Sequence, residues 1–230
     1  MAYTLQCNSA KPQLHGASYS VYVRIIILTL LEKQVDFNLH EMDVFDEKGI
    51  SDDYLKLNPF GKIPTFSHDD FIIYETTAIT RYIEDSFAPP CSLYPKGLKD
   101  RARVNQIISI LDNYAYKTLV WDIYVAVCES EAPDIHKIEQ ALELASICLQ
   151  AGRYLVGDSL SMADIHAAPI FDYFIKSPQG QKMLKQYPKL SSWWGGMAKR
   201  PNCQTAKNYS MMIIFKIDKG QILGTGLYKQ

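Results

Sequence analysis

An α/β block followed by an all-α block is the architecture predicted by this 230-residue sequence. Three observations carry that expectation. Residues 13 to 44 run strand, helix, strand; a proline-rich stretch interrupts the chain at 88 to 97; and the clear periodic segments between it and Pro201 repeat at three- and four-residue spacing.

Taken in order, "QLHGAS" (13–18) reads as a short strand ending in a turn, and "SVYVRIIILTLLEK" (20–33) as a helix. That helix is apolar nearly all round, so it should be buried on more than one side. "VDFNLHEMDV" (35–44) alternates through Val35, Phe37 and Leu39 as a strand does. Two strands joined through a helix should be parallel with a right-handed crossover. A short helical piece follows near 51 to 57. "IPTFSH" then pairs with "FIIYE" across Asp69 and Asp70 as an antiparallel hairpin, and a helix from about 76 to 87 closes the block. Beyond "APPCSLYPKG" the helical segments span 100–127, as one helix or two, then 134–152, 161–175 and 190–200, the last ending before Pro201. Residues 208–230 contain "MMIIFKI" and "QILGTGLY", strand-like runs across "DKG" that predict either a small hairpin or a loose tail. The expected domains are 1–88, 97–207 and this C-terminal segment, 208–230.

Composition narrows the function classes. Hydrophobic residues make up 47% of the chain, enough for sizeable cores. A formal charge of -1, from 24 basic and 25 acidic residues, gives no basic stripe for nucleic acid. Cys7, Cys91, Cys128, Cys148 and Cys203 are dispersed without CxxC spacing and odd in number, which argues against a disulfide framework or a zinc site. The longest apolar stretch, Val21 to Leu31, is interrupted by Arg24 and too short to span a bilayer, and the N-terminus lacks the parts of a signal peptide. A soluble protein of a reducing, cytosolic compartment is the expectation, with no membrane partner. The five histidines include no metal-binding pair around a glutamate, so no metal site is expected.

The stretch "NPFGKIPTFSHDDFIIYETTAITRYI" (58–83) carries the chemistry. Pro64 at the first position of a strand leaves the backbone of Ile63 without a cross-strand neighbour. Glu75, Thr76 and Thr77 stand at the start of a helix, where unsatisfied N–H groups and the helix dipole favour a carboxylate. An extended backbone next to an anion pocket suits one small peptide-like ligand. Further on, "GDSLSMADI" (157–165) holds a capping box, with Asp164 in the place of the usual Glu or Gln after Ser161 and a staple of Leu160 with Ile165. Asp164 is therefore read as a cap rather than a catalytic acid.

"NPFGKIPTF" with "YETTAITRYI", followed by "LVGDSLSMADI", resembles the cytosolic glutathione transferase superfamily over residues 13 to 205. The resemblance implies a thioredoxin-like first domain, an all-helical second domain and a homodimer. It also implies that Pro64 is the family's cis-proline, that Ile63 offers its backbone to the cysteinyl part of glutathione, and that Glu75 and Thr76 hold the γ-glutamyl end. Thr76 stands where the family more often has serine, which keeps the hydroxyl. Ser20, followed four residues later by Arg24, resembles the serine-type classes, in which a hydroxyl at the first helix's N-terminus faces the glutathione sulfur. Serine also caps helices, and the two roles are compatible. Ser18 is the main rival, with Tyr19 and Tyr22 behind it.

Lys62 is a candidate for the glycine carboxylate and equally a solvated loop lysine. The basic residues that some serine-type members place before "YLKLNPFG" are not matched, Lys48 alone being offered by "EKGISDD". His15 is read as a strand-end side chain within reach of the ligand. Tyr116 and Trp121 are, by the same analogy, candidates for a hydrophobic-substrate pocket, against the plainer reading as core or dimer contacts. The expected function is glutathione transfer to small hydrophobic electrophiles, with glutathione peroxidase activity as a further expectation, glutathione as co-substrate and no cofactor. The alternative is a non-catalytic glutathione or apolar-ligand binder, or a regulatory protein of this fold. A maleylacetoacetate isomerase ranks below both, because "SYSVY" lacks the cysteine of that class's cluster.

Overall fold

The computed structural model describes residues 10–42, 44, 49–87, 90–125, 134–148 and 153–217. The chain forms two compact units, one of Met1–Phe87 with Asn208–Gln230 and one of Ala88–Lys207.

The first unit is built on a four-stranded sheet of order β2-β1-β3-β4, from β1 (Gln13–His15), β2 (Asn38–His40), β3 (Thr65–His68) and β4 (Phe71–Tyr74). β1 and β2 are parallel, joined through helix α1 (Val21–Glu32), while β3 pairs antiparallel with both β1 and β4. Asp69 makes the hairpin turn at φ 55°, a left-handed conformation that Asp tolerates better than most residues. Ten of the twelve residues of α1 are buried, as its apolar run from Ile25 to Leu28 demands. Helix α3 (Thr76–Ser86) packs on α1 and buries a stripe of Thr76, Ile79, Thr80 and Ile83 at helical spacing. The two helices are tied by an ion pair, Lys33 Nζ to Glu84 Oε2 at 3.1 Å, with side chains only 2% and 9% exposed. Between β2 and β3 lies the short helix α2 (Asp52–Leu57), capped by Ser51, whose hydroxyl accepts from the Tyr54 N–H.

The second unit is helical. Helix α4 (Leu98–Ile110) runs into wider turns over Leu111–Ala115 and Lys117–Val125, where the Tyr116 N–H reaches back five residues to the Leu111 carbonyl. Of the segment expected at 100–127, the described part, as far as Val125, is a single helical path whose winding loosens midway. His166 Nε2 and Asp112 Oδ1, 2.7 Å apart, pin this looser portion to helix α6 (Met162–Phe174). Helix α5 (Ile135–Cys148) precedes α6, and α7 (Pro178–Leu184), α8 (Pro188–Met197) and α9 (Pro201–Ile217), whose residues from Asn208 on count with the first unit, follow it. Every residue of α6 is buried, and Phe171 meets Trp193 and Trp194 of α8 ring to ring.

Sequence expectation and structure part at the C-terminus. The helix before Pro201 ends at Met197, as expected, and Pro201 is the first residue of α9, a position where proline's missing donor and fixed φ do no harm. "MMIIFKI", expected as a strand of a hairpin or as a loose tail, is the last part of that helix, because an established helix overrides the modest strand preference of its isoleucines. Residues 218–230, including "QILGTGLY", lie outside the described residues. Helix α7 was not expected from the sequence; Ser177 caps it, its hydroxyl accepting from the Gly180 N–H at 3.0 Å.

The capping box at Ser161 is present, and Asp164 does more than cap. Its fully buried carboxylate accepts from the Ser161 N–H and hydroxyl, the Leu155 N–H and the Trp193 Nε1–H, so its partners extend well beyond its own helix turn. Burial pushes the Asp164 carboxyl above the usual carboxylate range, and these four hydrogen bonds oppose that rise. Asp164→Ala leaves the donors without an acceptor in a site closed to water. A loss of about 3 kcal/mol or more in unfolding free energy is expected, measured by chemical denaturation.

Candidate functional site

One row of residues runs straight across the sheet. His40 is opposite His15, His15 opposite Thr65, and Thr65 opposite Tyr74. Because β3 is antiparallel to its neighbours, the C-terminal ends of β1, β2 and β4 and the N-terminal end of β3 share one edge. The segments just beyond that row are therefore brought together: Gly16 to Ser20 after β1, Glu41 after β2, Lys62 to Pro64 before β3, and Glu75 with Thr76 after β4. The proximity is direct at one point, since a Cβ added to Gly16 would stand 3.3 Å from the Cβ of Ile63.

Ser20 is the N-cap of α1, in extended backbone conformation, with its hydroxyl 3.5 Å from the Val23 N–H. That is the limit of a hydrogen bond, so the capping role engages the hydroxyl weakly. Ser18, the rival, is fully buried, and its N–H donates to the Glu41 carboxylate at 3.1 Å. Of the two, Ser20 is the less buried residue.

The Ile63–Pro64 peptide bond is cis, Ile63 is half-buried and the Lys62 side chain is exposed. The Lys62 carbonyl accepts two hydrogen bonds of 2.7 Å, from the Tyr54 hydroxyl and from Asn58 Nδ2. Glu75 has φ 73° and is the N-cap residue of α3, yet its exposed side chain makes no capping hydrogen bond. A left-handed glutamate is uncommon and costs of order 1 kcal/mol, and such conformations gather at ligand sites. Its side chain is left exposed at the start of α3, where the first-turn N–H groups have no partner within the helix and Thr76 follows in sequence.

Two histidines complete the edge. His15 and His40 stack with ring centroids 4.6 Å apart, and His40 Nε2 lies 2.7 Å from Gln13 Oε1. Burial, and secondly the neighbouring His40, lower the pKa of His15. Among the described residues no group of three or more His, Cys, Asp or Glu could hold a metal ion, and no helix is long and apolar enough to cross a membrane.

The structure thus gathers Ser20, Lys62, Ile63, Pro64, Glu75 and Thr76 at one edge. Tyr116 and Trp121 belong to the second unit, both half-buried, in the loosely wound continuation of α4. Tyr54, Asn58 and Glu41 were not singled out from the sequence. Tyr54 reads there as the apolar face of a short helix, and nothing in "DDYLKLN" reveals that its hydroxyl returns to residue 62.

Family models match both units: one for the glutathione S-transferase N-terminal domain over residues 14–91, and one for the glutathione S-transferase C-terminal domain over 133–205. Glutathione S-transferase F6 of Arabidopsis thaliana is 29% identical over 207 residues, covering 84% of this chain and 97% of that protein. Glutathione S-transferase PARB of Nicotiana tabacum is 27% identical over 206 residues, with 82% and 93% covered. Among solved structures, glutathione transferase F7 from Populus trichocarpa superposes with a TM-score of 0.74 at 27% identity, covering 86% of this chain and 99% of that one. The chain belongs to the glutathione S-transferase family.

His15 gives the site a pH signature. Its folded pKa lies below the ordinary 6.5, so between the two values the unfolded chain binds a proton that the folded chain does not. Stability therefore falls as pH drops below 6.5 and recovers above it. Urea midpoints across this range should show a smaller slope for His15→Gln than for the natural protein.

Proposed function

We propose that this protein is a glutathione S-transferase that stabilises the glutathione thiolate and directs it at small hydrophobic electrophiles. The observation that carries the proposal is the shared edge, where the helix-capping hydroxyl of Ser20, the Ile63 backbone and the exposed Glu75 with Thr76 stand together. Ile63 pairs with the cysteinyl backbone, the first turn of α3 and Thr76 take the γ-glutamyl carboxylate, and Glu75 takes the amino group. Lys62, exposed at the same edge, is the cation for the glycine carboxylate. Tyr116 and Trp121 supply apolar contact for the electrophile.

The energetics close without a metal or cofactor. A free thiol of pKa about 8.5 needs roughly 2.7 kcal/mol of selective stabilisation to titrate two units lower. A hydrogen bond from Ser20 to the charged sulfur contributes about 1.5 to 3 kcal/mol, and the N-terminus of α1 about 0.3 to 1 more. The thiol proton passes to solvent. The sulfur lone pair then forms the new C–S bond, and the electrophile's leaving group departs with its bonding pair. With peroxides the thiolate attacks one peroxide oxygen, forming an S–O bond as the O–O bond breaks. The other oxygen leaves with the bonding pair and takes a proton from solvent as an alcohol, the peroxide being reduced and the sulfur oxidised to a sulfenic acid.

A homodimer is supported by exposed apolar surface on the first unit. Phe60, Phe71 and Ile72 are 66%, 45% and 42% exposed, and β4, which holds the latter two, is an edge strand. The five cysteines, dispersed in sequence without CxxC spacing, fit a cytosolic setting.

Titrating the thiolate absorbance of bound glutathione tests the catalytic part. The natural protein should show thiolate well below the free pKa, and Ser20→Ala should raise that pKa by about one to two units while glutathione still binds. An unshifted thiol in both proteins would leave a glutathione binder rather than a transferase. For the assembly, Phe60→Asp should halve the particle mass in sedimentation velocity.

A further inference from the structure

We propose that Tyr54 and Asn58 are positioning residues for glutathione, acting through the Lys62 carbonyl to aim the Ile63 N–H; the inference rests on the transferase reading above. A carbonyl oxygen has two lone pairs, and at Lys62 both have a donor: the Tyr54 hydroxyl at 2.7 Å and Asn58 Nδ2 at 2.7 Å. The Lys62 carbonyl and the Ile63 N–H belong to one planar peptide unit and, across a trans bond, point in opposite directions. Holding the oxygen on the side of Tyr54 and Asn58 therefore turns the Ile63 N–H away from them. No ligand can compete for that carbonyl, so the orientation is set before glutathione arrives.

Tyr54 also has a neighbour beyond the segment, outside the clamp on the Lys62 carbonyl. Tyr54 Oη lies 2.8 Å from Thr65 Oγ1 in a buried contact, so one phenol touches residues on both sides of the Ile63–Pro64 pair. Its single proton goes to the Lys62 carbonyl, which has none to give, and the Thr65 hydroxyl then donates to Tyr54. Tyr54 is in turn held by Ser51 at the start of α2 and is only 5% exposed. Asn58, 2% exposed, uses its remaining polar atom to accept from the Phe60 N–H, which holds the amide in the orientation that presents Nδ2 to Lys62. These are donors fixed by packing and aimed at one backbone atom, where Leu or Phe would satisfy the core as well.

Tyr54→Phe removes the hydroxyl alone, and Thr65→Val removes its buried neighbour while leaving the bond to Lys62. Glutathione affinity by calorimetry should fall about five- to tenfold in Tyr54→Phe and stay within about twofold in Thr65→Val, as one net hydrogen bond implies. The pKa of the bound thiol should be the same in all three proteins, because Ser20 is untouched. Asn58→Asp, which keeps the acceptor for Phe60 and loses the donor to Lys62, should weaken binding likewise and stands in if Tyr54→Phe does not fold. Unchanged affinity in both clamp variants overturns the inference, as does an equal loss in Thr65→Val, which would mark a general loosening of the core. A natural protein that binds no glutathione overturns the transferase reading and this inference together; a natural protein that binds glutathione no better than both clamp variants do overturns this inference alone.

Discussion

The register of four short strands is the constraint on which the site depends. His40, His15, Thr65 and Tyr74 form one row. The chain leaves the sheet beyond that row three times and enters it once. Backbone hydrogen bonding fixes such a row to the residue, since a slip by one turns every side chain to the opposite face. Leu14 and Phe66, paired in the adjoining row and fully buried, make a slip costly. Residues spread from 18 to 76 thus become neighbours through strands only three or four residues long.

Helix termini provide what the sheet edge gathers. The start of α1 presents Ser20, and the start of α3 presents Glu75 and Thr76, each with N–H groups that their own helix cannot satisfy. Both helices are anchored by burial and by the Lys33–Glu84 pair, so their first turns are held by the opposite ends of the same packed elements. The third participant is not a helix but the loop before β3, held by side chains: Tyr54 and Asn58 on one carbonyl. Rigid donors set before the ligand binds are what a site needs if binding energy is not to be lost in ordering it.

The helical unit follows a different logic. Its centre is α6, buried along its whole length, and its polar fixtures are internal: Asp164 gathers donors from its own cap, from Leu155 and from Trp193, while His166 meets Asp112. A carboxylate that joins a cap, a loop and a second helix specifies the packing of all three, and this is why a residue legible only as a cap carries more of the unit than its own turn.

Taken by itself, the sequence determined the two-block architecture, the parallel crossover, the hairpin at Asp69, the capping box at Ser161 and the candidates Ser20, Ile63, Glu75 and Thr76. These are local matters of apolar period, turn chemistry and helix starts, written within a few residues of where they act. Tertiary structure decided what local pattern cannot express. It buried Ser18 and left Ser20 only half-buried, carried α9 through "MMIIFKI" against strand preference, and folded the Tyr54 hydroxyl back onto the Lys62 carbonyl. In each case the outcome depends on what lies across the fold from the residue, and burial, helix continuation and a side chain's hydrogen-bond partner are set only when the elements pack.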